Sequence, residues 1–241
     1  MVDDAGDAAS GPTRVSVIIP CHNGQRYVAE AIRSVLRQDH EPLEIIVVDD
    51  GSTDGSGEAV AAFGPAVRYD RQPHRGAAAA RNRGVGLAAG QALAFLDADD
   101  LWTDHALSRM VQALNHHPTA GMVVGRVEQF VSPELGAADH HHQVSSEPVV
   151  ARLFGSLLMR RSEFDRVGEF SPYLSTGELM DWMLRADDAG VTSATISDVV
   201  LRRRLHRTNH GIVRRDARLD YVRVVKAALD RRRAAAPHGP S

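Results

Sequence analysis

Three carboxylates near the middle of the chain are the residues with the clearest potential for chemistry. Asp97, Asp99 and Asp100 end the stretch ALAFLDADD, which begins at Ala92. A continuous apolar run of this kind, bounded by polar residues, is typical of a strand buried on both faces. Carboxylates clustered at its end are costly unless a cation neutralises them, and oxygen ligands suit Mg²⁺ or Mn²⁺. Taken alone, the stretch indicates either a metal–diphosphate site or, equally well, an acidic loop that caps the next helix.

Two earlier apolar runs also end in polar residues. VSVIIP is followed by Cys21-His22-Asn23, and LEIIVV by Asp49-Asp50-Gly51-Ser52. The carboxyl ends of parallel strands face one crevice, and ligands of α/β proteins bind there. We therefore expect all three strand ends to line a single pocket.

The elements that must position these residues alternate between strands and helices. Short β-branched runs predict strands at residues 15–20, 43–48 and 67–69. Between them, apolar residues recur at helical spacing, as in Val28, Ala31, Ile32 and Val35. This alternation predicts an α/β fold with a mixed, mostly parallel sheet and helices on both faces.

The periodicity of the second half predicts a strand at 122–131 and three longer helices. The first helix has Thr103 as its expected N-cap. The second spans 177–189, with Met180, Met183 and Leu184 expected to face inward. The third begins near residue 216 and carries four apolar residues on one side: Leu219, Val222, Val225 and Leu229.

The composition of the 241 residues, 43% hydrophobic and 24% charged, is that of an ordinary globular protein. No apolar run approaches the roughly 20 residues that cross a bilayer. Residues 1–13 are acidic and lack an apolar core, so we expect a disordered leader and not a secretory signal. The single Cys21 excludes an internal disulfide and fits a reducing compartment, so a cytoplasmic location is expected.

The net charge of −3 is unevenly distributed along the chain. Residues 201–233 contain eleven Arg and one Lys against three Asp. The pattern predicts a basic helix at 214–233 and a flexible tail at 234–241. This helix would bind phosphates, an acidic partner or a membrane surface. In the last case it would attach the protein peripherally to the membrane. A solvated face that pairs with the acidic body is an equally good alternative, and no nucleic-acid partner is expected.

Four segments, taken together, resemble the nucleotide-sugar-binding half of family 2 glycosyltransferases: VSVIIPCHNG, EIIVVDDGSTDGS, GAAAARNRGVGLAAG and ALAFLDADD. The resemblance covers residues 15–115 almost without a gap, in the family's order. It implies a GT-A fold over residues 14–213, in which 14–115 bind the donor nucleotide and 116–213 the acceptor. It also implies inverting transfer from a nucleoside-diphosphate sugar, expected to be a UDP-sugar, with Mn²⁺ or Mg²⁺ as cofactor.

The resemblance implies roles for the first two strand ends. Pro20, His22 and Asn23 would belong to the pocket for the nucleobase and ribose. Asp50 would accept a hydrogen bond from uracil. The segment Gly51-Ser52 would let the backbone turn close to the nucleotide.

The carboxylates of the opening stretch correspond to the family's acidic metal motif. Asp99 and Asp100 would be the better metal ligands, and Asp97 would hold the ribose or Arg81. Arg81 itself would either contact the phosphates or only pair with Asp97. A later segment rich in arginine, RRRLHRTN at residues 202–209, is the Arg–His segment. In it, His206 would complete the metal shell or contact a phosphate, and a basic surface loop is the alternative.

The second half departs from the family at its catalytic motif. The usual pattern is Glu-Asp, one further residue, then Asp, whereas the chain has Glu178-Leu179-Met180-Asp181. Inverting transfer needs one carboxylate to take the proton of the acceptor hydroxyl. Glu178 is the first candidate for this base and Asp181 the second, while a surface role for Glu178 is the alternative. Because of the missing acid, a catalytically impaired nucleotide-sugar-binding protein is the competing hypothesis. The acceptor stays open between a glycan, a lipid-linked intermediate, a small metabolite and a peptide.

Overall fold

The computed structural model describes residues 12–135, 147–174, 176–207 and 217–235. Most of the predicted leader, residues 1–11, lies outside this range, as does 236–241 of the predicted tail. Within the described residues, the chain forms nine strands: β1 Val15–Cys21, β2 Leu43–Asp50, β3 Arg68–Gln72, β4 Ala92–Phe95, β5 Leu101–Trp102, β6 Met122–Val131, β7 Val149–Val150, β8 Leu157–Arg160 and β9 Ser193–Leu205.

The strands form one mixed sheet in the order β3-β2-β1-β4-β8-β6-β9-β5, with β7 paired to β6. The ladders β1–β2, β1–β4, β2–β3 and β6–β9 are parallel. The shorter ladders of β8 with β4 and β6, of β5 with β9 and of β7 with β6 are antiparallel. Since β1, β2 and β4 are mutually parallel neighbours, their carboxyl ends meet at one edge, as the sequence predicted.

The described parts of the chain also contain seven α-helices: α1 Val28–Leu36, α2 Ser56–Ala61, α3 Ala77–Leu87, α4 Ala106–His116, α5 Arg161–Val167, α6 Glu178–Asp188 and α7 Ala217–Ala235. Alternate residues of β1 divide the core between the two faces of the sheet. Val17 and Ile19 belong to the cluster that contains the buried side chains of α1 and α4. Ile18 belongs to the opposite cluster, with Phe164 of α5 and Trp182 of α6. The predicted arrangement of helices on both faces is therefore confirmed.

Two predictions of local structure are wrong for identifiable reasons. Thr103 does not cap α4, because its backbone N–H and its Oγ1 both donate to carbonyls of β9, at Val200 and Val199. The helix begins later, after His105, whose φ is +63°. Met180 points outward at 37% exposure, and the fully buried Trp182 fills the position inside.

The last helix exposes the apolar side that the sequence predicted for it. The residues on that side are all more than 40% accessible: Leu219, Val222, Val225 and Leu229. The helix packs on the body through Val224 and Ala228 instead. Ion pairs from Arg231 and Arg232 to Asp188 of α6 support this contact. The part of α7 predicted as flexible tail, Ala234 and Ala235, is helical. No helix in the described part of the chain has the length and apolar character to span a membrane.

Candidate active site

The first two strand ends are joined by direct hydrogen bonds between them. The backbone N–H of Asn23 donates to Ser52 Oγ at 2.9 Å, and Asn23 Oδ1 accepts the N–H of Thr53 at 2.8 Å. The turn between them requires Gly51, because its φ is +73° and a Cβ there would lie 2.7 Å from the backbone nitrogen of His74. The expected close turn at Gly51 is therefore present.

Asp50 is buried, and its carboxylate is already hydrogen-bonded on both oxygens. Oδ1 accepts from the amide of Gln72 at 2.7 Å and from the backbone N–H of Arg75 at 2.8 Å. Oδ2 accepts from the backbone N–H of Gly76 at 2.8 Å and lies 2.8 Å from His74 Nδ1. Of these four partners, only His74 is an exposed side chain, so it is the one that a ligand could displace from the carboxylate.

His74 is a site residue that sequence reasoning missed. Its ring stacks on that of His22, with 4.1 Å between centroids, and Nδ1 of His22 lies 2.8 Å from the Asp50 carbonyl oxygen. The signal available in the sequence was the segment Gln72-Pro73-His74-Arg75-Gly76, which follows the third strand. Within the described residues, His22, Asp50 and His74 form the one group of three whose potential ligand atoms lie within 4.8 Å of one another.

The third strand end meets the Arg–His segment, which begins in the last residues of β9 and continues past the end of that strand to His206. Leu101 pairs with Arg202 across β5 and β9, so the segment runs beside the acidic motif. Nε2 of His206 lies 2.8 Å from Asp99 Oδ2, and His206 is buried. The two residues predicted to share a metal are thus in direct contact.

Asp100 is buried beside the two other carboxylates. Its Oδ1 accepts the backbone N–H of Arg204 at 2.8 Å. Burial, and after it the negative charges of Asp99 and Asp97, raise the pKa of Asp100 well above its usual value. A cation at this end of the sheet would relieve that cost.

The side chain of Arg204 does not pair with Asp100. Its guanidinium contacts Glu30 at 2.5 Å and the Asp99 carbonyl at 2.9 Å, and lies against the rings of Tyr27 and Phe130. Tyr27 also stacks near His206, at 4.9 Å between centroids. The segment is therefore held on the acidic motif by packing as well as by charge.

Arg81 of α3 connects the acidic motif to α6. Its guanidinium contacts Asp97 at 2.6 Å and Glu178 at 2.8 Å, and it is only 4% exposed. The same group lies 3.5 Å from the ring centroid of Phe154. Of the two roles considered for Arg81, the pairing with Asp97 is present, and the contact with Glu178 was not anticipated.

The model of the family described as "Glycosyl transferase family 2" matches residues 16–176, about two thirds of the chain. The chain belongs to glycosyltransferase family 2. Its similarity to AglE of Haloferax volcanii is 31% identity over 203 residues, covering 77% of this chain and 65% of AglE. An uncharacterized glycosyltransferase of Nostoc sp., alr2836, is 39% identical over 114 residues, covering 46% of this chain and 35% of that protein. The chain thus matches between one third and two thirds of the length of these relatives.

Two solved structures establish the fold. TarS of S. aureus, solved with UDP-GlcNAc, superposes with a TM-score of 0.70 at 18% identity, over 89% of this chain and 65% of that one. The mannosyltransferase PcManGT of Pyrobaculum calidifontis, solved with GDP-Man and Mn²⁺, gives a TM-score of 0.65 at 22% identity, over 96% and 67%. The predicted GT-A fold is confirmed.

The two candidate bases of this family 2 chain lie in different surroundings. Glu178 is the first residue of α6 and contacts Arg81, which in turn holds Asp97. Asp181, one turn later, is held by Arg185 at 3.0 Å and lies 3.9 Å from Arg231 of α7. The structure therefore brings Glu178 next to the acidic motif and turns Asp181 toward the contact between α6 and α7.

Proposed function

We propose that the chain is an inverting glycosyltransferase that moves a sugar from a nucleoside-diphosphate sugar, a UDP-sugar, to an acceptor hydroxyl. The observation that carries this proposal is the Asp97–Arg81–Glu178 contact. It joins the carboxylates of the donor motif to a second carboxylate at the start of α6, within two short ion pairs. Family membership and the GT-A fold support the same reaction class.

In this proposal, Glu178 acts as the general base. As the acceptor oxygen forms a bond to the anomeric carbon, its proton passes to the Glu178 carboxylate. The bond from that carbon to the diphosphate oxygen breaks, and the nucleoside diphosphate leaves with the electron pair. Since a single displacement occurs at the anomeric carbon, its configuration inverts. Arg81 holds Glu178 and Asp97 in fixed relative positions during this step.

The residues at the end of β4 offer the kinds of donor atom that bind a divalent cation, although their ligand atoms are not gathered as closely as those of His22, Asp50 and His74. Asp99 and His206 offer a carboxylate oxygen and an imidazole nitrogen in contact, and Asp100 is a buried carboxylate next to negative neighbours. We propose that Asp99, Asp100 and His206 hold Mn²⁺ or Mg²⁺, ions that suit such donors. When bound, the ion neutralises charge that develops on the departing diphosphate.

The proposed uridine specificity rests on Asp50. Its carboxylate accepts three hydrogen bonds, and the exposed His74, whose Nδ1 lies 2.8 Å from Oδ2, is the partner that a base N–H could replace. TarS, which has the same fold, was solved with UDP and with UDP-GlcNAc. His22 and His74 would then lie beside the base.

We also propose that α7 attaches the protein peripherally to an anionic membrane surface on the cytoplasmic side. Val222, Val225 and Leu229 form an exposed apolar face. Lys226 and Arg233 line the same shallow groove on that face. Apolar side chains beside basic ones are the combination that binds an anionic lipid surface.

The ion pair of Glu178 also favours a second candidate function, nucleotide-sugar binding without transfer. The Glu178 carboxylate is already engaged by the buried guanidinium of Arg81 at 2.8 Å, and Leu179 stands where a second acid is usual. A binding protein would bind UDP and release no sugar to any acceptor.

The test compares wild-type protein with Asp99→Ala and with Asp104→Ala, an exposed acid that shortly follows the motif. We expect Asp99→Ala to lose turnover of UDP-sugars by about 100- to 1,000-fold and to weaken UDP binding in the presence of Mn²⁺. Asp104→Ala should retain both. Calorimetry measures binding, and release of UDP in a donor and acceptor screen measures turnover. Unchanged turnover in Asp99→Ala would contradict the proposal, and tight UDP binding without any transfer by the wild type would favour the second candidate.

A further inference from the structure

A cavity of about 430 Å³ opens beside Glu178, at the start of α6. Its volume is within the range of roughly 300–1,000 Å³ that small-molecule sites occupy. Six apolar side chains form most of its wall: Leu153, Phe154, Leu179, Met180, Met183 and Leu184.

Three charged residues also line this cavity. Arg152 and Asp187 are exposed, so both stay hydrated. Glu178 has a side chain that is only 13% exposed. An acceptor in the cavity would meet the proposed base together with the apolar side chains.

The wall of the cavity is physically continuous with the donor motif. The ring of Phe154 lines the cavity and carries the guanidinium of Arg81 on its face at 3.5 Å. Arg81 contacts both Glu178 and Asp97. Only Arg81 therefore separates the Phe154 side of the cavity wall from Asp97, one of the groups proposed to bind the donor.

The wall discriminates against polar acceptors. A sugar hydroxyl buried against these side chains would lose its water without gaining a hydrogen-bond partner, which is unfavourable. An apolar group would instead be stabilised by its removal from water. The unbranched side chains of Met180 and Met183 can adapt to groups of different shape.

We propose that the acceptor of this enzyme carries its reacting hydroxyl on, or one sugar away from, an apolar aromatic or alkyl group that fills this cavity. The inference rests on the proposed glycosyltransferase function and names the acceptor class that the function leaves open. Leu179 contributes directly, because the acid usual at this position would present an unpaired charge to the same wall.

The test uses matched acceptors that share one sugar: a methyl glycoside, a p-nitrophenyl glycoside and an octyl glycoside below its micelle concentration. With a UDP-sugar that supports transfer, we expect kcat/KM for the two apolar glycosides to exceed that for the methyl glycoside at least ten-fold. A glycolipid with the same sugar in vesicles distinguishes the two sources of such an acceptor. Higher kcat/KM in vesicles identifies a lipid, and higher kcat/KM for the free glycosides identifies a small molecule.

Two variants test the cavity itself. Both Leu179→Asp and the milder Met180→Gln should reduce this preference, which is the ratio of kcat/KM for the apolar glycosides to kcat/KM for the methyl glycoside. In each variant the ratio should lie within a factor of about two of unity. Leu36→Asp changes a leucine of similar exposure to Met180, on α1 and outside the cavity, and should keep the preference. UDP affinity with Mn²⁺, measured on the same samples, shows that each variant is folded.

Equal kcat/KM for methyl and octyl glycosides, or a preference that survives both variants, would overturn the inference alone, because transfer itself would still occur. Absence of transfer to every acceptor by wild-type protein that binds UDP would overturn the proposed function and the inference together.

Discussion

The proposed donor half of the site and the proposed acceptor half are built by different means. The donor half consists of polar residues at the ends of β1, β2 and β4, held by hydrogen bonds and ion pairs to neighbouring segments. The acceptor half consists of apolar side chains from α6 and from the segment before β8, around a cavity. The first is a set of groups fixed by polar contacts, and the second is a space left between packed elements.

This difference determines what each half can tolerate. A polar strand end is destabilised when one donor or acceptor of a hydrogen bond is removed, because its buried partner is left without a hydrogen bond. An apolar wall tolerates changes of shape that conserve volume, but not a charge. We therefore expect the donor half to be sensitive to small polar changes and the acceptor half to be sensitive to polarity alone.

The largest effect is expected where the halves meet, at Glu178. Glu178→Gln keeps the shape of the side chain but removes the base, so transfer should fall by about 100- to 10,000-fold while UDP binding is retained. Steady-state transfer and calorimetry measure the two quantities. Asp181→Asn is the matched control and should cost far less activity, since Asp181 contacts Arg185 and Arg231. A larger loss in Asp181→Asn would reverse the assignment of the base.

Arg81→Met tests whether the two halves depend on one buried cation. The change leaves Asp97 and Glu178 without their shared partner, and breaking a buried pair costs about 3–5 kcal/mol. Unfolding in urea measures the loss. Arg83→Met, on the same helix, removes an exposed arginine that pairs with Asp70 and should change stability little. Similar stabilities for the two variants would show that Arg81 does not hold the halves together.

Tyr69→Phe tests the prediction for a polar contact of the donor half. Tyr69 donates to Asp49 Oδ2 at 2.6 Å, and its loss should cost about 1 kcal/mol at neutral pH. Burial alone raises the pKa of Asp49, but hydrogen bonds from Ser52 and Tyr69 outweigh it, and the pKa is lowered. The stabilisation is therefore present above the unfolded value of about 3.9 and is lost as pH falls through the folded pKa.

Urea unfolding of this variant at pH 7 and pH 3 should show a smaller difference from wild type at pH 3. Tyr173→Phe, at a side chain that is 93% exposed, should match wild type at both values. If Tyr69→Phe and wild type differed in unfolding free energy by the same amount at pH 3 as at pH 7, the contribution of Tyr69 would not depend on the ionisation of Asp49.

The smallest effect is expected on the exposed face of α7. Val225→Ser removes part of its apolar surface, so binding to vesicles of anionic lipid should weaken a few-fold, with little change in stability. Leu36→Ser alters a residue of nearly equal exposure on α1 and should bind as wild type. Sedimentation with vesicles measures the bound fraction, and equal binding by the two variants would exclude this face of α7 as the contact.

The same difference between the halves explains how much could be predicted from the sequence. The strands β1, β2, β4 and β6 were predicted because short segments rich in apolar and β-branched residues, such as VSVIIP, LEIIVV and ALAFL, leave few alternatives, and the polar ends of the first three follow directly. His74 was missed because its contact with Asp50 depends on the path of the loop after β3. The contact of Arg81 with Glu178 joins residues 97 positions apart, and no local pattern indicates it.

The helices show the limit of periodicity. The stripe of α1 is buried as predicted, with Val28, Ala31, Ile32 and Val35 inaccessible. The stripe of α7 has similar spacing but is exposed, because Arg231 and Arg232 anchor the other side of the helix to Asp188. Periodicity identifies a helix and its apolar side, but it does not say which side meets the body.

The close contact of α7 with the start of α6 indicates that the structural support of Glu178 extends beyond residue 213, the predicted end of the glycosyltransferase domain. The ring of Tyr221 lies so near Gly177 that a Cβ there would be 3.3 Å from it, and Gly177 has a φ of +81°. Asp220 accepts the backbone N–H of Thr176 at 3.3 Å. The last helix thus packs against the turn that precedes Glu178, so a protein shortened to residue 213 would keep the proposed donor motif and lose the contacts that support the proposed base.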